Sequence, residues 1–98
     1  MIVRVVRMEF DPAKVETFLN HFNTYKSQIR HFPGVHHLEL HRDAKLPNVF
    51  YTYSIWENEQ ALEDYRVSEL FTNVWAETKI LFNGKPVAYS LVQEMIVD

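Results

Sequence analysis

The most constraining feature of this 98-residue sequence is the order in which two hydrophobic periodicities follow one another. Residues 2–10 alternate along the chain with a period of two and are rich in β-branched side chains, which indicates a strand. Further strand patterns cover residues 35–43, 49–56 and 87–97, and two helical patterns separate the first from the second and the third from the last. The resulting order βαββαβ predicts a ferredoxin-like α+β domain, in which helices cover one face of a four-stranded antiparallel sheet.

Local sequence signals mark where these elements begin and end. Asp11-Pro12 predicts the N-terminus of a helix of about 18 residues, which Pro33-Gly34 should end. The second helical region should break near Val67-Ser68, where the serine offers a new N-cap, and Asn83-Gly84 should supply a left-handed C-cap. No repeat, low-complexity segment or linker divides the chain, so residues 1–98 are expected to form a single domain.

Both faces of the predicted sheet are apolar. The third strand places Val49, Tyr51, Tyr53 and Ile55 on one side and Phe50, Thr52, Ser54 and Trp56 on the other. Helices can cover only one of these faces, and an uncovered apolar face of several hundred Å² usually marks a partner surface. We therefore expect a homodimer that packs sheet against sheet around a two-fold axis.

Composition limits the functional classes. The chain has 10 basic against 13 acidic side chains, so it lacks the basic footprint of nucleic-acid binding. It has no cysteine, which excludes disulfides and thiol nucleophiles, and its 2 glycines cannot build a phosphate-binding loop. No apolar run is long enough to span a membrane, and the N-terminus is not a signal peptide. A cytoplasmic protein without a nucleic-acid or membrane partner is expected.

One histidine-rich strand is a weak candidate for a metal site. His37, Glu39 and His41 lie on one face at two-residue spacing, a pattern that can present ligands to a metal ion. Only two of the three are imidazoles, and no second cluster is near in sequence. We therefore expect a polar strip at a rim or dimer seam and no bound metal.

The remaining histidines divide into two groups. His36 shares the more apolar side of its strand with Leu38, so it is a candidate for a pocket or core position. His21 and His31 fall off the apolar stripe of the first helix and are expected to be exposed to solvent.

Aromatic side chains form 14% of the sequence, a large share for so small a core. Tyr and Trp carry polar atoms that need partners once buried. The residues concerned are Tyr51, Tyr53, Trp56, Tyr65, Phe71, Trp75 and Tyr89. They either pack in the core and dimer interface or line an apolar pocket that suits a flat aromatic ligand.

Several short motifs occur in a recognisable order: "FDP" before the first helix, then "FPG", "LELHRD", "YSIWENEQALEDY" and "SELF". Their order and spacing resemble the antibiotic biosynthesis monooxygenase family of the dimeric α+β barrel superfamily. This resemblance implies a ferredoxin-like protomer, a sheet-to-sheet dimer and a pocket between the sheet and its helices.

The resemblance also implies a function. Cofactor-free relatives oxidise phenols or hydroquinones with O2, the substrate itself acting as the reductant. On this basis a small aromatic substrate should contact Trp56, Thr52, Tyr65, Trp75 and Phe71, where Thr52 replaces an asparagine of some relatives. His36 or His37 would be the candidate catalytic base.

Two alternatives remain open at this point. One is a non-catalytic dimeric protein that binds a small apolar molecule. The other is haem degradation, in which relatives of this family place a histidine iron ligand where this chain has Trp75. Because the second long helix has no histidine at all, no cofactor is expected.

Overall fold

The computed structural model describes residues 1–98 and contains one four-stranded sheet and three α-helices. In chain order the elements are β1 (Ile2–Glu9), α1 (Val15–Arg30), β2 (Val35–Arg42), β3 (Val49–Trp56), α2 (Glu59–Arg66), α3 (Glu69–Lys79) and β4 (Val87–Val92). The strands pair antiparallel in the order β2-β3-β1-β4. The predicted ferredoxin-like α+β fold is confirmed.

The helix starts follow the sequence signals. The Asp11 side chain accepts a hydrogen bond from the backbone N–H of Ala13 at 2.9 Å, and a single 3-10 turn over Pro12–Lys14 leads into α1. Ser68 accepts from the backbone N–H of Phe71 at 3.1 Å, which caps α3 and produces the predicted break after α2.

The end of α3 differs from the prediction. The helix stops at Lys79, four residues before Asn83-Gly84, and Gly34 is the only residue with a positive φ. The backbone N–H of Asp11 donates to the Leu81 carbonyl at 3.0 Å, and that of Asn83 donates to Glu9 at 3.1 Å. These bonds tie the segment after α3 to the end of β1, so a tertiary contact replaces the expected glycine cap.

β4 is also shorter than predicted. It ends at Val92, and residues 93–98 have no regular secondary structure and are exposed. The prediction to residue 97 was wrong because β1, the only strand that β4 pairs with, begins at Ile2, the partner of Val92.

All three helices pack on the same face of the sheet, called here the helix face. Two clusters of buried side chains lie there: Met8, Phe10, Phe18, Phe50 and Leu81 in the first, and Ile29, Val35, Trp56, Leu62 and Tyr65 in the second. The opposite face, called here the outer face, carries no helix. On it the β4 residues Val87, Tyr89 and Leu91 are exposed. No helix combines the length and the apolar character that crossing a lipid bilayer would require.

Candidate functional site

A cavity of about 400 Å³ lies between the helix face of the sheet and the three helices. All four strands contribute to its floor, β2 through Leu38, and side chains of α1, α2 and α3 form its walls. It borders on Met8 from the first buried cluster and on Ile29, Leu62 and Tyr65 from the second. This size is within the range of small-molecule sites, about 300–1,000 Å³.

The floor follows from strand alternation. Arg4, Val6 and Met8 of β1 point to the helix face, and register places Ser54 beside Arg4 and Thr52 beside Val6. Polar groups are therefore concentrated toward the start of β1, whereas the floor near Met8 is apolar.

Aromatic side chains form much of the wall. Phe71 and Trp75 are four residues apart on α3, and their rings lie nearly parallel, with centroids 5.9 Å apart and an interplanar angle of 9°. The Tyr65 ring meets Phe71 edge-on, with centroids 5.2 Å apart. Together these three rings provide flat apolar surfaces of the kind that contact an aromatic ligand.

Tyr65 brings a buried hydroxyl to this wall. The residue is 9% exposed, and burial raises its pKa to about 12, so the phenol is neutral at physiological pH. No buried side-chain polar atom in the chain lacks a hydrogen-bond partner. The hydroxyls of Tyr65 and Thr52 make no hydrogen bond within the chain, so we infer that both are open to the cavity.

Trp56 lies behind the cavity wall. It is 2% exposed, its indole N–H donates to the Ser54 hydroxyl at 2.9 Å, and its ring packs against Tyr65 with centroids 5.1 Å apart. Of the five residues predicted to contact substrate, Thr52, Tyr65, Phe71 and Trp75 line the cavity and Trp56 does not. Trp56 therefore packs against the side of the Tyr65 ring that faces away from the cavity.

Neither candidate base lines the cavity. His36 occupies a β-bulge between Val35 and His37, where its half-exposed side chain lies 3.9 Å from the Glu57 carboxylate. His37 lies on the outer face, where it bonds Glu39 and contacts the Tyr53 ring. The expectation of His36 in a pocket was wrong because the extra residue of the bulge interrupts the alternation on which it relied.

Glu39 is held between two histidines on the outer face. Its carboxylate bonds His37 and, at 2.6 Å, the ring of His41, and these hydrogen bonds, that from His37 first, lower the pKa of Glu39. The three side chains share one face, as predicted. No group of three His, Cys, Asp or Glu side chains in the chain is arranged to hold a metal ion.

His21 is packed between two helices, contrary to the expectation that it is exposed. Its side chain is 10% exposed, and its Nε2 lies 3.1 Å from the Val74 carbonyl and 3.0 Å from the Thr78 hydroxyl. The carbonyl can only accept, so Nε2 is the donor in this contact. His31 is exposed as predicted.

The structure adds two arginines that the sequence interpretation passed over. Arg4 and Arg66 both line the cavity, whereas no carboxylate and no imidazole does. The Arg4 guanidinium donates to the Ser90 hydroxyl at 2.8 Å, and burial, followed by the charge of Arg66, lowers its pKa. A signal was present in the sequence, because Arg4 interrupts the apolar series of Ile2, Val6 and Met8.

This set of lining groups bears on haem chemistry as well. A haem iron in the cavity would find no imidazole among the lining side chains, and α3 carries no histidine. The donor set therefore does not fit an iron ligated by histidine.

Solved structures show the same fold. The chain matches the crystal structure of an antibiotic biosynthesis monooxygenase with a TM-score of 0.89 and 17% identity over 95% of this chain and 98% of the other. A conserved protein from Methanosarcina mazei matches with a TM-score of 0.89 and 16% identity, covering 96% and 94%. A Mycobacterium tuberculosis protein matches with a TM-score of 0.89 and 14% identity, covering 99% and 98%.

Sequence comparison identifies the family. No curated protein matches the chain significantly. The family model described as antibiotic biosynthesis monooxygenase matches residues 1–76, from β1 into α3, and so includes most of the cavity-lining residues. This match supports a monooxygenase-like function. The chain belongs to the antibiotic biosynthesis monooxygenase family.

Proposed function

We propose that the cavity binds a small phenol or hydroquinone and that the protein promotes its oxidation by O2 without a bound cofactor. The observation that carries this proposal is the aromatic wall, in which nearly parallel Phe71 and Trp75 rings and the Tyr65 ring border a cavity of about 400 Å³. Membership of the antibiotic biosynthesis monooxygenase family supports the reaction type.

The reaction balances with the substrate as the only reductant. A hydroquinone gives up four electrons to O2. One oxygen atom enters a ring C–H bond as a hydroxyl group, the other leaves as water, and the product is a hydroxyquinone. The first electron leaves more easily from the hydroquinone anion than from the neutral molecule, so the protein must favour ionisation of a ring hydroxyl.

Electrostatics supplies this preference in the proposed site. The cavity has no carboxylate or imidazole to accept a proton, but the two positive charges of Arg4 and Arg66 favour the ionised substrate, whose proton passes to solvent. The hydroxyls of Thr52 and Tyr65 are available to hold oxygen atoms of the ligand. In this proposal His36 and His37, which lie outside the cavity, do not contact the substrate.

Oxygen uptake with a panel of benzo- and naphthohydroquinones tests the proposal. We expect consumption above the autoxidation rate, and a two- to tenfold slower rate in Thr52→Val, which removes one hydrogen-bonding group. Thr72→Val is the matched control, because the Thr72 hydroxyl is exposed and bonds only the Ser68 carbonyl. Absence of protein-dependent uptake with every hydroquinone would contradict the proposal.

A second candidate is a non-catalytic protein that binds a small aromatic molecule. The absence of any carboxylate or imidazole from the cavity lining favours it, because general acid–base catalysis usually needs one. If hydroquinones bind to the protein, and bind more weakly to Thr52→Val, but no oxygen is consumed, this second candidate is selected.

We also propose that two copies associate through their outer faces. The support is the row of exposed apolar side chains on β4, where Tyr89 is 56% exposed and Leu91 49% exposed. Light scattering at micromolar concentration should give the mass of two chains for wild type, and of one chain for Leu91→Glu. Ile80→Glu, at an exposed apolar position just after α3, is the control. A wild-type mass of one chain would contradict the dimer.

A further inference from the structure

We propose that the ligand of the cavity is an aromatic acid, whose carboxylate is bound by Arg4 with the help of Arg66. This inference rests on the proposed function in one respect, the use of the cavity as an aromatic binding site. It adds the charge of the ligand and the end of the cavity at which that charge lies.

The first argument is that Arg4 is a partly buried cation that forms no close ion pair, although the more distant Glu63 carboxylate partly offsets its charge. It lines the cavity, its only side-chain hydrogen bond is donated to the Ser90 hydroxyl, and none of the ion pairs in the chain includes it. Arg7, on the same strand but on the outer face, is paired with Glu9 at 3.8 Å. A desolvated cation is costly unless an anion accompanies it, so a bound carboxylate would offset that cost.

The second argument is that another guanidinium shares this part of the cavity. Arg66 is also a lining residue, and after burial its positive charge is the second cause that lowers the pKa of Arg4. The Glu63 carboxylate that bonds Arg66 at 3.0 Å is half-exposed and does not line the cavity. Guanidinium groups bind carboxylates through two parallel hydrogen bonds, and no other side chain provides this geometry.

The third argument is that the polar and apolar groups are separated along the floor. Ser54 and Ser90 pair with Arg4 on either side, whereas Met8 lies four residues further along β1, a distance of about 13 Å at ~3.3 Å per residue. That length accommodates a two-ring aromatic body with its acid group at the Arg4 end. The Phe71 and Trp75 rings would then contact the ring system.

Isothermal titration calorimetry with a matched ligand pair tests this inference. The probes are 6-hydroxy-2-naphthoate and 6-hydroxy-2-naphthamide, which share ring, shape and phenol and differ in the charge of one substituent. Titrations are made under nitrogen, so that binding is measured without oxidation. We expect wild type to bind the naphthoate at least tenfold more tightly than the naphthamide, the size of effect typical of a charged hydrogen bond.

Two arginine variants localise the effect. Arg4→Gln should lower the affinity for the naphthoate to that for the naphthamide and leave the naphthamide affinity within about twofold. Arg42→Gln is the control, since Arg42 is exposed, stacks over the Phe50 ring and does not line the cavity. This substitution removes one positive charge, as Arg4→Gln does. It should retain the tenfold preference.

The outcomes separate this inference from the proposed function. Equal affinity of wild type for the two probes, or equal loss of naphthoate binding in both arginine variants, overturns the inference and leaves hydroquinone oxidation untouched. Binding of the naphthoate in the expected pattern, with no oxygen uptake on any hydroquinone, sustains the inference and overturns the proposed oxidation. If Arg4→Gln does not fold, as judged by circular dichroism, the wild-type comparison of the two probes decides alone.

Discussion

Gly34 is the position at which a single added methyl group should disturb the fold most directly. Its φ is +91°, and a Cβ built there would lie 2.5 Å from the Ala61 Cβ of α2. The Gly34 carbonyl also accepts a hydrogen bond from the Glu57 backbone N–H at 2.8 Å, just before that helix. Gly34→Ala should therefore move α2, which carries the cavity residues Tyr65 and Arg66.

The expected cost has two parts. A residue with a Cβ is destabilised by ~1–2 kcal/mol at a positive φ. Alanine also restricts the unfolded chain, and this lower entropy offsets ~0.4–1 kcal/mol of that destabilisation. Carbon atoms in contact normally lie ~3.5–4.0 Å apart, so the clash requires a backbone shift of about 1 Å at a cost of ~1–3 kcal/mol. Gly34→Ala should lower the free energy of unfolding by about 2–4 kcal/mol.

Urea denaturation followed by circular dichroism measures this difference, in wild type and in an Ala61→Gly background. Without the Ala61 methyl group the clash is gone, so Gly34→Ala should cost only about 1 kcal/mol there. Gly84→Ala is the control, because a Cβ at that site meets only the Glu9 side chain, at 3.1–3.3 Å, and its φ is not positive. Equal costs of Gly34→Ala in the two backgrounds would refute the steric argument.

Three further predictions concern other contacts of the site. Burial raises the pKa of Tyr65 from 10.0 to about 12, so its stabilisation is fully present below pH 10 and is lost as the pH rises toward 12. Over that window the free energy of unfolding of wild type should fall by up to about 3 kcal/mol more than that of Tyr65→Phe. Ser68→Ala removes the cap that bonds the Phe71 N–H, which should lower the free energy of unfolding by ~1–2 kcal/mol in urea denaturation. His21→Leu should lower it by ~1–2 kcal/mol, because the bond to the Val74 carbonyl between α1 and α3 is lost.

These three predictions have distinct controls. Parallel pH curves for wild type and Tyr65→Phe would show that the phenol is not the group responsible. Ser27→Ala removes an exposed hydroxyl within α1 that makes no hydrogen bond, and should change stability by less than about 0.5 kcal/mol. If the His21→Leu variant is as stable as wild type, the hydrogen bonds of His21 to α3 make no net contribution to the free energy of unfolding.

The elements set by local patterns could be predicted from the sequence. β3 occupies 49–56 as predicted, and Ser68 caps α3 where its position before an apolar stripe indicated. Alternation also placed Thr52 on the same side of β3 as Phe50 and Trp56, and the structure shows that this side is the helix face. These features depend on residues close in sequence, whose periodicity and hydrogen-bonding capacity are visible without the fold.

The features that could not be predicted depend on distant contacts. His21 falls off the apolar stripe of α1 but is covered by α3, and no pattern in one helix reveals its neighbour. The bulge at His36 shifts the alternation by one residue, which strand periodicity alone does not disclose. Arg4 is the opposite case, because its place in an apolar series was visible but its significance emerged only with the cavity.

The two tryptophans occupy positions that give the chain two independent optical probes. Trp56 is sealed in the second buried cluster with its N–H bonded to Ser54, whereas Trp75 lies in the cavity wall beside Phe71. A collisional quencher in solution should reach the indole of Trp75 and leave that of Trp56 shielded. Intrinsic fluorescence can therefore follow occupancy of the cavity through one indole and integrity of the fold through the other, without an introduced label.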